Sequence, residues 1–183
     1  MVTRNKTRER NGRQSWEAGF SLIELLVVVA IILIIAAIAI PNYLSAKIAA
    51  NQASAAEGVR TITSANVVYS TTYSNGYTPT LAALGGAAPP TCNGAVLLDP
   101  MVSGAPNQKS GYAYAYLPQG APIVGPPPGC AAGFLQYLVT ATPLSVVTGT
   151  NSYCADEDGT IHYSTVGAAI ATPAACEALP ELQ

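Results

Sequence analysis

Glu24 is the first residue of this sequence that poses a chemical question. It stands in 19-GFSLIELLVVVAIILIIAAIAIP-41, a stretch with no polar side chain from position 25 to position 40. A carboxylate in hydrocarbon costs roughly 2.5–3.5 kcal/mol at a helix centre and less near an interface, so an acid at the head of such a run needs a use. Cys92, Cys130, Cys154 and Cys176 form a second candidate set. An even number of cysteines behind an export-type N-terminus reads as two disulfides in an oxidising compartment. Four reduced thiols are the competing reading. Zinc is disfavoured, because the sequence has no C-x-x-C pair and a single histidine, His162. Asp156 and Asp158, with Glu157 between them and Gly159 after them, are candidate calcium ligands. Three acids before a turn glycine more often form a solvated hairpin tip, which is the alternative. His162 stands alone and reads as a strand surface residue. Serines and threonines are abundant, but no G-x-S-x-G or other nucleophile context is present, so no catalytic residue and no cofactor is predicted and the chain reads as a non-enzyme.

Charge is distributed in a way that bears on Glu24. Five of the eight Lys and Arg residues precede the apolar run, at Arg4, Lys6, Arg8, Arg10 and Arg13; Lys47, Arg60 and Lys109 follow it. Without the first 19 residues the chain has three basic groups against eight acids (ten less Glu9 and Glu17), a net charge of −5. That acidic balance argues against nucleic acid as a main partner. The apolar run admits three readings. A secretory signal peptide fits the basic flank and the small-residue triplet 37-AIA-39, but the run is long for one and Glu24 would serve nothing in a discarded peptide. A plain transmembrane helix fits residues 20–40 by length, and the basic flank would hold the N-terminus in the cytoplasm. A short leader followed by a retained helix is the third.

The third reading rests on specific residues. A basic leader, Gly19, Phe20, then Ser-Leu-Ile-Glu and a long apolar helix resembles the class III signal of the type IV pilin family, which includes the pseudopilins of type II secretion. The resemblance is close over about residues 3–43 and concerns only general layout beyond. It implies cleavage by a prepilin peptidase between Gly19 and Phe20, where a residue without a side chain leaves the protease unobstructed. It implies N-methylation of Phe20 as the new terminus. Glu24 then becomes the fifth residue of the processed chain and Pro41 the twenty-second, positions where the family places its acid and often a proline. Physically, the amine on Phe20 and the carboxylate of Glu24 are opposite charges about one helical turn apart, and an incoming subunit's amine meeting a neighbour's Glu24 would fix the axial register of a filament. Calcium bound in a C-terminal loop occurs in some pseudopilins, which is the family's bearing on Asp156 and Asp158. The preferred cysteine pairing, one of three possible, is Cys154 with Cys176 and Cys92 with Cys130. The first would close a C-terminal loop similar to the exposed disulfide-bounded loop of many type IV pilins.

The elements that must carry these residues follow from periodicity. Pro41 removes one helical hydrogen bond, yet the pattern resumes beyond it, so the proline is predicted to kink the helix and not to end it. Leu44, Ile48, Ala55, Val59, Ile62 and Tyr69 recur at helical spacing, with Gln52 and Asn66 in the gaps, and Gly58 is a weak point in that helix. The region to about position 110 is rich in Gly, Pro and Ala and reads as an irregular loop. Strands are predicted at 112-YAYAYL-117, 134–142, 152–155 and 160–164, with the turn at 156–159 and a proline-rich surface connection at 118–129. The predicted fold is α+β: one helix over about residues 20–73, apolar in its first half, packed on a small antiparallel sheet of three to four strands. The layout is a cleaved basic leader at 1–19, a transmembrane and filament-core helix at 20–41, an amphipathic half at 42–73 and a sheet domain at 74–183. The partners implied by the resemblance are other copies of the chain, the peptidase, the assembly machinery of a pilus or type II system, and membrane lipid before assembly.

Overall fold

The computed structural model of the chain describes residues 20–182. The predicted leader, with Gly19, lies outside the described residues. The chain divides between Pro41 and Asn42 into two units, each with its own character. A helix, α1 (Leu22–Tyr73), begins in the first unit and supplies the helix of the second, with Pro41 inside it.

In the first unit nearly every side chain is exposed: Leu22, Ile23, Leu26, Ile32 and Leu33 all present most of their surface. A helix apolar on all sides is built for a surrounding that is itself apolar. Its length and composition are sufficient to cross a membrane.

The second unit places α1 against a five-stranded sheet, β1 (Gln108–Lys109), β2 (Tyr112–Pro122), β3 (Phe134–Pro143), β4 (Ser152–Asp156) and β5 (His162–Ser164), all neighbours antiparallel and in chain order. This is an α+β meander, with one more strand than the upper predicted count. The added strand is the two-residue β1, too short for its pattern to register in sequence. The connection between β2 and β3 is also shorter than predicted. Residues 118–122 extend β2, pairing Pro118 with Tyr137 and Pro122 with Phe134 across a register shift. Proline is admissible there because β1 pairs only with Tyr112 and Ala113, leaving this part of β2 an edge that needs no N–H donor on its free side. The region read as an irregular loop contains two single-turn helices, α2 (Leu81–Leu84) and α3 (Pro100–Ser103), and a third, α4 (Pro173–Glu177), lies near the C-terminus. Thr80, Asp99 and Thr172 cap these three, each side chain accepting a bond from a backbone N–H of the first turn.

The buried stripe of α1 is Ala55, Val59, Ile62, Asn66 and Tyr69, all fully enclosed. Leu44 and Ile48 were predicted to continue it but do not: Leu44 is exposed and Ile48 half-buried. The nearest side-chain hydrogen bonds from the helix to the sheet unit begin at Asn51, so the stripe has nothing to bury against before that point. Alternation in β2 sends Tyr112 and Tyr114 to the helix-facing core with Tyr137, Val139 and Tyr153. Burial pushes the Tyr112 and Tyr114 phenols up to about 12, which keeps both neutral as packing groups. Gly58 has a reason the sequence did not display. A Cβ there would collide with the Tyr114 ring, whose hydroxyl and Cε1 occupy its place. Asn66 ties three segments together: its Oδ1 accepts from the Thr78 N–H (3.3 Å) and the Tyr116 hydroxyl (3.1 Å), and its Nδ2 donates to the Ile62 carbonyl (3.2 Å). The far face of the sheet has a smaller core of Leu138, Cys154, Ile170 and Cys176.

Candidate functional site

The residues singled out for processing and assembly sit at the head of α1. Ser21 occupies the position before its first residue, and the Ser21 backbone N–H donates to Glu24 Oε2 at 3.0 Å. The Leu25 N–H donates to the Ser21 carbonyl at 3.2 Å, the first helical bond. An acid three residues into a helix that reaches back to the capping residue is half of a capping box, and its negative charge also lies at the favourable end of the helix dipole. S-L-I-E is the S-x-x-E signature of that motif, so this local role of Glu24 was available in the sequence and was not drawn from it. Phe20 is 75% exposed. Gly19 lies outside the described residues. Pro41 lies within α1, at the last position of the first unit.

The cysteines form two disulfides, Cys92–Cys130 and Cys154–Cys176, with Cα separations of 5.5 and 6.0 Å. The first joins the loop after α2 to the connection between β2 and β3; the Tyr69 hydroxyl donates to the Cys92 carbonyl at 2.8 Å, fixing that loop to α1. The second joins β4 to α4 and encloses β5. The enclosed segment is not wholly exposed: Ile170 and Cys176 are buried against the sheet.

Asp156 is buried at the end of β4 while Asp158 is exposed at the turn. Asp156 Oδ1 accepts from the Asp158 N–H at 3.2 Å, and Gly159 closes the turn with φ of +80°. Burial raises the Asp156 carboxyl above its ordinary range, with the charges of Glu157 and Asp158 adding to it and the Asp158 N–H opposing. Glu157 Oε1 accepts from Gln136 Nε2 at 2.8 Å. Among the described residues no three His, Cys, Asp or Glu side chains converge as a metal site. The Asp156 carboxylate holds its own turn through the Asp158 N–H. His162 departs from the reading as a surface residue. It is buried, and its Nδ1 lies 2.8 Å from the Leu179 carbonyl, to which it donates. The reason is tertiary: the chain after α4 folds back over β5, which the alternation of a three-residue strand cannot announce.

Comparison with known families adds the deciding fact. Residues 17–40 carry the prokaryotic N-terminal methylation motif. This is the cleavage and methylation motif of type IV pilins and pseudopilins, and it spans Gly19, Phe20 and Glu24. The match covers the N-terminal segment alone, so the sheet unit stands on its own structure. No curated protein and no solved structure matches the chain significantly. The methylation motif gives the chain the N-terminus of a pilin-like or pseudopilin subunit. With the apolar helix behind it, the one such helix among the described residues, it fits an inner-membrane precursor that meets a prepilin peptidase and is later found outside the cytoplasm.

Proposed function

We propose that the chain is a prepilin, a non-enzymatic structural subunit of a type IV pilus. In this reading the peptidase cuts after Gly19, Phe20 becomes the N-methylated terminus, and residues 20–41 rest in lipid until they are exchanged for the same segments of neighbouring subunits. The observation that carries it is a methylation motif leading into a helix whose apolar surface is left open on every side. Such a surface is satisfied by lipid before assembly and by copies of itself after it. Identical subunits in head-to-tail contact then build an open helix, not a closed ring. Force for extraction must come from other proteins of the machinery, because the sequence has no nucleotide-binding motif.

Glu24 has the assembly role here. Its carboxylate, held by the Ser21 N–H in the isolated chain, is the negative partner for the terminal amine of an incoming subunit. A pseudopilin of type II secretion shares the motif; the Cys154–Cys176 closure of the C-terminal segment favours the pilus subunit. Mass spectrometry of the mature N-terminus tests the reading. N-methyl-Phe20 is the expected product, and a start at Ile40 after 37-AIA-39 would replace this reading with an ordinary exported domain. Neighbouring genes for a retraction ATPase, as against genes for a secretin-linked system, separate pilus from pseudopilus.

A further inference from the structure

The two disulfides differ in what surrounds them. Cys154 and Cys176 are fully buried and pack with Leu138 and Ile170 in the core on the far face of the sheet. Cys130 is half-buried, and its chain neighbours Gly129 and Ala131 are exposed. Nothing stands within 4 Å of the place a Cβ on Gly129 would take, so the approach beside Cys130 is open. Its partner Cys92 is buried, with its carbonyl held to α1 by the Tyr69 hydroxyl at 2.8 Å. This bond therefore joins one reachable cysteine to one enclosed cysteine. A disulfide exchanges when a thiolate attacks a sulfur it can reach, and exposed bonds are the labile ones. We propose that Cys92–Cys130 is an exchange site for low-molecular-weight thiols, with Cys130 taking the thiol as a mixed disulfide and Cys92 acting as the resolving cysteine. In the forward step the small thiolate attacks Cys130 Sγ, the bond to Cys92 breaks, and Cys92 leaves as a thiolate. The proton shed by the small thiol ends on Cys92. In the return step the Cys92 thiolate attacks Cys130 Sγ and expels the small thiolate. One disulfide forms for each that breaks, so neither direction needs an oxidant or a reductant.

A second observation is a clamp that keeps the two cysteines together without the sulfur bond. Cys92 and Asn93 are the central residues of a turn closed by two bonds, from the Thr91 N–H to the Gly94 carbonyl (2.9 Å) and from the Gly94 N–H to the Thr91 carbonyl (3.0 Å). Asn93 grips the residues on either side of Cys130. Its Nδ2 donates to the Gly129 carbonyl at 2.7 Å, and its Oδ1 accepts from the Ala131 N–H at 3.3 Å. Asn75, itself fully buried, donates from Nδ2 to the Ala131 carbonyl at 2.7 Å and accepts at Oδ1 from the Gly133 N–H at 3.5 Å. The Ile123 N–H donates to the Gly133 carbonyl at 2.8 Å and closes the base of the connection. These bonds hold Cys92 beside Cys130 when the disulfide opens. The return step then runs between groups at high effective concentration, which makes exchange reversible in the folded chain. Asn93 is the positioning residue of the pair.

The test uses the full chain in detergent, with peptide mass mapping after a maleimide quench. Unaltered chain is first titrated with dithiothreitol. Cys92 and Cys130 are expected to be labelled at concentrations that leave Cys154–Cys176 bonded; both pairs opening together, or Cys154–Cys176 opening first, overturns the proposal. The direction of attack is read from Cys92→Ser and Cys130→Ser in oxidised glutathione. Cys92→Ser, which leaves Cys130 as the free thiol, is expected to take up one glutathione about tenfold faster than Cys130→Ser, because a thiol reacts as it is reached. Equal rates, or faster uptake at Cys92, overturn the assignment of Cys130. The clamp is read from Asn93→Ala in reduced glutathione. Several-fold more mixed disulfide at Cys130 than in unaltered chain is expected, with Cys154 and Cys176 still protected from maleimide. An unchanged amount overturns the role given to Asn93.

Discussion

Under the proposed function Glu24 combines two uses of one carboxylate, and conservative substitution separates them. As a helix-start residue it needs only an acceptor for the Ser21 N–H, which glutamine also provides. As the partner of an incoming amine it needs its charge. Glu24→Ala and Glu24→Gln are both expected to be processed by the peptidase and both to fail in filament assembly, scored by pelleting and electron microscopy; normal filaments from Glu24→Gln would sink the charge argument. Gly58 makes an opposite case, where local propensity misleads. Alanine should gain about 0.5–1 kcal/mol in a helix interior, but overpacking against Tyr114 costs about 1–3 kcal/mol. Gly58→Ala is therefore expected to lower stability by about 1 kcal/mol, and Tyr114→Phe, by removing the colliding hydroxyl, to return part of it in a double-mutant cycle. Asp156 supplies a pH dependence. Its carboxyl titrates above the ordinary range when folded, so its contribution is fully present below the unfolded pKa of about 3.8 and is lost as pH rises through the higher folded value. Asp156→Asn keeps an acceptor for the Asp158 N–H and removes the buried charge. It is expected to raise the melting temperature at pH 7 and leave it nearly unchanged at pH 3; equal effects at both would show that burial of charge is not the cause.

At the scale of elements, the long helix was readable because its two halves have different periodicities, all-round apolar and then a stripe. Where the stripe begins was not readable. Leu44 and Ile48 continue the spacing, but only the loop after β3, docking at Asn51, determines which helical turns have a partner. Strand β2 shows the converse. The tyrosine–alanine alternation announced its first half, while Pro118 and Gly120 concealed its second, because proline is excluded from a central strand and only the shortness of β1 makes this an edge. The disulfide-closed segment from β4 to α4 behaves as an element in its own right. On chain entropy, a loop of 22 residues contributes about 3 kcal/mol and one of 38 about 4 kcal/mol. Cys154→Ser with Cys176→Ser is expected to cost the smaller of these together with packing lost around Leu138 and Ile170. Denaturant titration in detergent would read this as a lower midpoint, and an unchanged midpoint would deny the segment any part in holding the sheet.

For the molecule as a whole, the core of the second unit encloses five tyrosines, Tyr69, Tyr112, Tyr114, Tyr137 and Tyr153, among its aliphatics, and they shape its stability at high pH. Tyr112, Tyr114, Tyr116 and Tyr137 are all raised above 10, chiefly by burial, whereas the unfolded chain ionises its phenols near 10. Stability from these groups is complete below pH 10 and is lost as pH rises through the folded values. A melting temperature level to pH 10 and falling between pH 10 and 12 is expected; a level profile to pH 12 would show that the phenols are not enclosed. The sequence by itself determined the N-terminal motif, since Gly19, Phe20 and Glu24 are recognised by their spacing along one chain ahead of one apolar helix, and the matched motif covers those same residues. It also determined the α+β class, because helical and strand periods are local. Tertiary structure alone decided why Gly58 is glycine, why His162 is enclosed, and where Asn66 finds its partners on Thr78 and Tyr116. Each of those depends on contacts between segments distant in the chain or folded back on one another, and period and propensity describe only neighbours along it.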